Sequence, residues 1–469
     1  MLLGALGSIY RNIGASDRSV ALHRRSIEQW QRVGGHDPLP LVEQLNNTAS
    51  AMFVAGTLDD AEAVLDRALA LLDASGIGDH AVRARVLNTR GALEMNRGDF
   101  GRAKPWLGRS IAMYRALGIR DTQEYAVALQ NVANVAMDEA RYDDAQSAMD
   151  EVLALRTRLL GEAHDETLFT MSAIGRVQRE RGDHAAALAT LERVLALRIK
   201  AFGDAHLEAG ALANEIANVY HDRGDYAGAK RYYEQSIAIE RAAGKTIHVS
   251  LPINNYASLE EEFGNYDAAE RMFRESLEIR RQYGAEDSNR VARAEHNLAR
   301  ILYRLERYDV AEALWKSAYA KRVTLYGADH LEPILTELAL ETLAFERDGD
   351  LAAVERSIAL SDKALAQAAG TPTMRGQIEG RLGLLLADAE RWAESEAALR
   401  KSLASLAAMD DPGNPTYGGL AVKLGVVLAQ QGRADEARAL IAQWRGIVEQ
   451  RFPPHTRIRR DILAYDATR

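Results

Sequence analysis

No cysteine occurs among the 469 residues of this chain. Disulfides, thiolate nucleophiles and cysteine metal sites are excluded, and a cytoplasmic setting is the expectation. Proline is scarce, at 10 residues, and aromatic side chains make up only 6%. Such a composition suits helices packed through alanine and leucine. No apolar run approaches the length of a membrane span, so no membrane partner is expected. The first ten residues, MLLGALGSIY, lack the basic start and cleavage site of a secretion signal. They already read as helix without an N-cap, as though the chain continued something longer. Charge is nearly balanced, 58 basic residues against 67 acidic ones, a net of −9. That argues against nucleic acid as a partner, which would call for a basic surface. A glycine-rich phosphate loop and a nucleophile–base–orienter set are missing as well. The expectation is therefore a chain with no catalytic residues, no metal and no cofactor.

What is present is a repeat. The stretch Leu207–His248 reads as two helical patterns around a Gly224-Asp225-Tyr226 turn. The first helix runs through Leu212, Ile216, Val219 and Tyr220, the second through Ala229, Tyr233, Ile237 and Ile239. Neither can bury its apolar stripe alone, so copies must stack. Aligned on the small residue of the first helix, the copies carry Gly7, Ala49, Gly91, Ala133, Gly175, Ala217, Ala257, Ala299, Gly383 and Gly425. The steps are 42 residues, with one of 40 and one of 84 that leaves room for a degenerate copy. A second column pairs small with large: Ala61/Leu65, Ala103/Leu107, Ala145/Met149, Ala187/Leu191, Ala229/Tyr233, Ala269/Phe273, Ala311/Trp315 and Ala437/Ile441. Small beside large at fixed spacing is how closely crossing helices interlock. The turn column holds Gly14, Gly56, Gly98, Gly182, Gly224, Gly264, Gly349 and Gly432, with Glu306 replacing glycine in one copy. Glycine there supplies a left-handed helix end at little steric cost.

At Ala217, Tyr220, Ala229 and Tyr233 the chain resembles the tetratricopeptide repeat. The family period is about 34 residues. The longer unit here, ending Gly161-Glu-Ala-His164, Gly203-Asp-Ala-His206 and Gly327-Ala-Asp-His330, looks like the kinesin-light-chain subfamily and its bacterial relatives. The resemblance implies an all-α, right-handed α-solenoid superhelix of about eleven helix-turn-helix units. Their expected bounds are about 1–38, 39–80, 81–122, 123–164, 165–206, 207–248, 249–288, 289–330, 331–371 (degenerate), 372–414 and 415–454, with a capping helix and tail over 455–469.

Particular residues carry further expectations. Ser19, His23 and Ser26 replace the small and apolar residues of later copies and fit an end unit facing water. Pro105 falls in the first turn of its helix, where proline is tolerated. Two residues are lost near Asp287. Val354 stands where alanine is usual, and Asp410-Asp-Pro-Gly-Asn-Pro415 reads as loop; together they mark the expected bend. Ile458, Ile462 and either Leu463 or Tyr465 would cap the end. His80, His164, His206, His248 and His330 recur at unit ends and lie too far apart to share a metal. They are expected to be turn or cap residues. Asp99-Phe100-Gly101 copies a kinase tripeptide but falls in the turn column. Tyr142, Tyr226, Tyr266, Tyr308 and Trp392 form one packing column.

The candidate site is a ladder of amides before and after the small residue: Asn46, Asn47, Asn88, Gln130, Asn131, Asn134, Asn214, Asn218, Asn254, Asn255 and Asn297. A repeat sets such positions in line along one surface. The resemblance implies that the first helices line a concave side and that asparagines there clamp an extended peptide; the plainer reading is that they tie one helix to the next. Arg176, Arg179, Arg300 and Arg304 would project into the same concavity. Arginine suits carboxylates, which makes an acidic protein or peptide a reasonable partner. Glu180, Asp222, Glu261 and Glu262 on the same helices pull the other way. The reading is a protein- or peptide-binding scaffold. The alternative is a regulatory or sensor array of a larger signalling protein, since similar arrays follow serine/threonine kinase domains. Oligomeric state is not legible.

Overall fold

Helix spacing of apolar residues becomes helix in the computed structural model, which describes residues 2–12, 15–33, 37–203, 207–244, 246–283, 289–368, 372–407, 415–452 and 456–467. Gly14, His206, Asp287 and most of the loop after Met409 lie outside the described residues. Among the described residues there are 23 helices and no strand.

The chain divides into two bodies, residues 1–181 and 182–469. The first holds α1 (Leu2–Asn12), α2 (Ser16–Val33), α3 (Leu39–Val54), α4 (Leu58–Ala74), α5 (Ala81–Asn96), α6 (Phe100–Ala116), α7 (Gln123–Asp138), α8 (Tyr142–Leu160) and α9 (Asp165–Glu180). The second opens with α10 (His184–Phe202), α11 (Leu207–Asp222), α12 (Tyr226–Ala242), α13 (Thr246–Glu262), α14 (Tyr266–Tyr283), α15 (Asn289–Arg304) and α16 (Tyr308–Tyr326). It continues with α17 (Leu331–Asp348), α18 (Leu351–Gln367), α19 (Pro372–Asp388), α20 (Trp392–Leu406), α21 (Pro415–Gln430), α22 (Ala434–Arg451) and α23 (Arg457–Ala467). Within each body, helices pack in sequential pairs and each pair packs on the next. The division falls in the α9–α10 turn.

The interlocking column is the core. Ala61, Ala103, Ala145, Ala187, Ala229, Ala269, Ala311 and Ala437 are all fully buried, and their large partners expose 2% or less. The matching small residue of the first helix faces the same side chain. A Cβ added to Gly91 would lie 2.5 Å from Leu107, and one on Gly425 would lie 2.6 Å from Ile441. The packing aromatics behave as expected: Tyr226 is buried, and Tyr142, Tyr266, Tyr308 and Trp392 pack half-buried against the core.

Polar ties join successive pairs. Arg156 donates to Thr170 Oγ1 at 2.7 Å and to the Glu166 carbonyl at 3.2 Å, and pairs with the Glu166 carboxylate at 3.0 Å. Arg322 repeats this with Thr336 at 2.6 Å and Glu332 at 3.1 and 2.8 Å. Nothing in the sequence reading singled out this buried arginine column.

The turns follow one geometry. Gly98, at φ 81°, donates to Met95 O, and Asp99 N–H donates to Glu94 O. Asp99, Asp183 and Asp225 then cap the next helix by accepting from Arg102, Ala186 and Gly228 N–H at 2.8, 3.1 and 2.9 Å. The kinase-like tripeptide is thus a helix cap. Glu306 keeps the left-handed conformation at φ 59°, and so do Ala140 (55°) and Glu390 (56°), with the same backbone bonds. Left-handed backbone costs a residue with a Cβ about 1–2 kcal/mol, and glycine's extra unfolded freedom returns about 0.5–1 of it. Ala140→Gly, Glu306→Gly and Glu390→Gly are each expected to stabilise by roughly 0.5–1 kcal/mol. Urea midpoints will show the gain, and a lower midpoint would contradict it.

Several expectations need correction. Ser19 and His23 are fully buried and Ser26 is 5% exposed. Ser19 and His23 face α1 rather than water: Ser19 Oγ donates to Gly7 O at 2.7 Å, and His23 lies against Gly7. Pro105 is beyond the first turn, because α6 begins at Phe100. His80, His164 and His330 are N-caps, accepting through Nδ1 from Val82, Glu166 and Glu332 N–H at 3.1, 3.2 and 3.2 Å. His248 is not; α13 starts before it, at Thr246. At the chain's end α23 covers α21 and α22 with Ile458, Ile462 and Tyr465, while Leu463 stays exposed.

Candidate binding surface

First-helix residues on either side of the small column face neighbouring first helices, and the amides there bond to one another. Asn131 Nδ2 donates to Asn88 Oδ1 at 2.9 Å, from α7 to α5. Asn255 donates to Asn214 Oδ1 at 3.0 Å, from α13 to α11, and Asn297 to Asn254 Oδ1 at 3.0 Å, from α15 to α13. Asn254 Nδ2 reaches Asn255 Oδ1 at 3.5 Å. Asn218 Oδ1 accepts from Tyr233 at 2.7 Å and from Asn255 at 3.4 Å. Gln130 instead accepts from Arg156 at 2.6 Å. These side chains do tie one helix to the next. Most are only half-buried, so their remaining donors and acceptors still face outward. Asn47 and Asn134 are half-buried and make no side-chain hydrogen bond among the described residues.

The four arginines separate into two pairs. Arg176 lies over the Phe169 ring at 5.9 Å, and Arg179 is 3.8 Å from Glu180, both on α9. Arg300 and Arg304 both pair with buried Glu261, at 2.7 and 2.9 Å. Glu261 therefore offsets the two cations beside it rather than repelling a ligand. Glu262 is occupied by His221 Nε2 at 2.9 Å.

The N-terminal body carries an open groove of about 570 Å³ across α3, α5 and α7. Phe53, Val54, Met95 and Val127 supply apolar surface, and Asn88 and Asn131 a polar edge. Val54 is 52% exposed and Val127 40%. Exposed apolar side chains gathered in one groove are more informative than the same residues scattered.

In the C-terminal body the first helices enclose a smaller concavity of about 200 Å³, lined from α15, α16, α17, α19 and α23. Arg457 of α23 reaches Glu346 of α17 at 3.0 Å and also pairs with Asp388 of α19. Lys423, 7% exposed, sits between Asp388 at 3.4 Å and Asp461 at 3.3 Å. Enclosure alters the titrating groups. Burial, then Arg322 and Arg381, hold His296 well below the ordinary histidine value, so it is neutral. Burial and Glu346 push Tyr303 up. Desolvation, then Arg300 and Arg304, bring Arg381 down to about 10.

Arg381 and Lys423 occupy the same repeat position as Asn131, Asn255 and Asn297. His296 occupies that of Asn254. Arg381, Lys423 and His296 are not amides and so fall outside the amide ladder, although the column followed regardless of residue type contains all three. Arg457 and Glu346 are 111 positions apart and share no column. Among the described residues no group of three or more histidines and carboxylates could hold a metal ion. No described helix is long and apolar enough to cross a membrane.

The fold is an all-α solenoid of stacked helix pairs. Models described as tetratricopeptide repeat match residues 2–32, 124–200, 210–248, 249–322 and 419–443, together just over half of the chain. The chain belongs to the tetratricopeptide repeat family. No curated protein matches it. Similar solved structures include the apo quorum sensor NprR from B. thuringiensis, 14% identical, with 79% of this chain and 100% of that one covered at a TM-score of 0.50. BtubC (BKLC) from P. vanneervenii is 21% identical, with 49% and 93% covered at 0.43. A Podosopora anserina kinesin light chain with nearly identical repeats is 19% identical, with 44% and 97% covered at 0.40.

Proposed function

We propose that this protein is a scaffold that holds an extended segment of a partner protein along its first helices. The observation that supports this most directly is the groove across α3, α5 and α7, where exposed Val54 and Val127 flank the Asn88–Asn131 pair. Apolar surface there would bury alternate side chains of an extended peptide, and the amides, each with capacity left, would meet its backbone. A preformed helical wall lowers the ordering cost of such binding. Arg176 and Arg179 on α9 favour an acidic residue in the bound segment.

Asn131 and Asn214 are poor probes of this reading, because each also ties two helices together. Val54 and Val127 are better, being solvent-facing. Linear peptides selected from a random library against the whole chain should lose about tenfold or more in affinity with Val54→Asp plus Val127→Asp, close to 1.4 kcal/mol. Calorimetry reads the affinity, and an unchanged melting curve confirms the fold. Failure to enrich any peptide, or undiminished binding by the double variant, would remove the proposal.

A further inference from the structure

A second concavity, in the C-terminal body, presents hydrogen-bond donors without acceptors. Trp315 is 2% exposed and lines it, and the indole Nε1–H has no partner among the described residues. Arg300 also lines it, and the buried Nε–H is likewise unpartnered. The charges tell the same story. Glu261 serves Arg300 and Arg304, while Glu346 and Asp388 serve Arg457. Arg381 lines the cavity, is exposed to its space, and makes no ion pair among the described residues. One cation and two N–H donors thus stand over. Leu338 and Leu385, each 2% exposed, and Leu384 supply an apolar wall.

We propose that this concavity binds a small monocarboxylic acid, with Arg381 taking the carboxylate and the leucine wall its apolar body. The class follows from the lining. A ligand that satisfies the unpartnered Trp315 and Arg300 N–H groups must bring an acceptor, and one unmatched cation calls for one negative charge. A guanidinium fork matches the two oxygens of a carboxylate. A volume of about 200 Å³ is below that of sites for drug-sized ligands, so the acid is short. Glu346 and Asp388 at the rim, held by Arg457, disfavour a second acidic group on the ligand. The site lies in the other body from the groove and stands independently of the peptide proposal.

The test uses the full chain with 4-methylpentanoate and its neutral analogue 4-methylpentanamide. The reporter is the Trp315 indole N–H in ¹H–¹⁵N spectra, assigned by its loss in Trp315→Phe. The acid is expected to shift it saturably, at about millimolar affinity for so few atoms. The amide should bind at least about tenfold more weakly. Arg381→Gln should abolish the acid-specific shift, and Arg381→Lys should retain part of it. Arg381 is exposed on the cavity lining and makes no ion pair among the described residues, so both variants should melt as the parent does. N-acetyl-glycyl-leucine with a free or amidated end forms a second pair of probes. Tighter binding of the free dipeptide than of the small acid would overturn the assignment to a free monocarboxylate in favour of a peptide chain end. No saturable shift, an equal response to acid and amide, or undiminished binding by Arg381→Gln would overturn the site altogether.

Discussion

Phe273→Ala is expected to destabilise the C-terminal body by about 3–5 kcal/mol. Phe273 is fully buried on α14 in the column that interlocks with the small residue of the paired first helix, here Ala257 of α13. Around it are Ala257, Ala269, Val291 and Leu298, drawn from three successive helices. Two features keep the cavity from collapsing. Ala257 and Ala269 are already small, so no long side chain can swing in. The flanking helices are also held apart from below, since Ser276 Oγ donates to Ser250 O at 2.7 Å and Arg280 to Arg290 O at 2.8 Å. A cost near the upper end follows, because a cavity that cannot close adds to the lost transfer energy. Stability in a repeat array is local, so the measurement should be local too. Hydrogen exchange should accelerate most in α13–α16 and least in α1–α4. Loss under about 1 kcal/mol, or equal acceleration throughout, would show that the column is not the interlock described.

Glu240→Gln is expected to stabilise the protein at alkaline pH and to do nothing at acid pH. Glu240 occupies the repeat position that holds Arg156 and Arg322 in other copies, but without their partners. It is 3% exposed, and Oε2 makes no hydrogen bond among the described residues. Burial alone raises the carboxyl from 4.5 to about 7. A raised folded value means that the folded state holds the proton more tightly than the unfolded chain. The contribution to stability is complete below pH 4.5, declines as pH rises, and is gone above about pH 7. The difference is on the order of 3 kcal/mol. Glutamine stays neutral throughout, so wild type and variant should coincide near pH 4 and separate by about 2–3 kcal/mol near pH 8. Exchange rates in α11–α13 at the two pH values will show it; parallel curves would mean that the carboxylate is solvated.

Much of this architecture could be read from residue spacing. The small/large pairs from Ala61/Leu65 to Ala437/Ile441 follow from helix geometry repeated at a fixed period, and all are buried as that geometry requires. The turns were legible where glycine marks them. At Ala140 and Glu390 the surrounding helices impose the left-handed conformation on residues that do not advertise it. The polar end of the chain is hidden for a related reason: Ser19 looks solvent-facing by type, yet its hydroxyl is satisfied on the buried Gly7 carbonyl. The amide ladder was visible as a column. Which of its two roles comes first was not, because spacing places side chains in line without saying whether they touch. Arg457 meeting Glu346 depends on how the helices close in space, which no periodicity reports. Arg381 shares the place of the amides in the repeat but not their type, and only place marks it.

The hydrogen bonds from Asn297 to Asn254, on to Asn255 and then to Asn214 run donor to acceptor in one order, from α15 through α13 to α11. Such a relay has a head and a tail: Asn297 retains an unused carbonyl oxygen at one extremity and Asn214 an unused amide hydrogen at the other. Each link polarises the next, so the row is vectorial rather than symmetrical. A polypeptide laid against it would meet a surface that distinguishes its two directions.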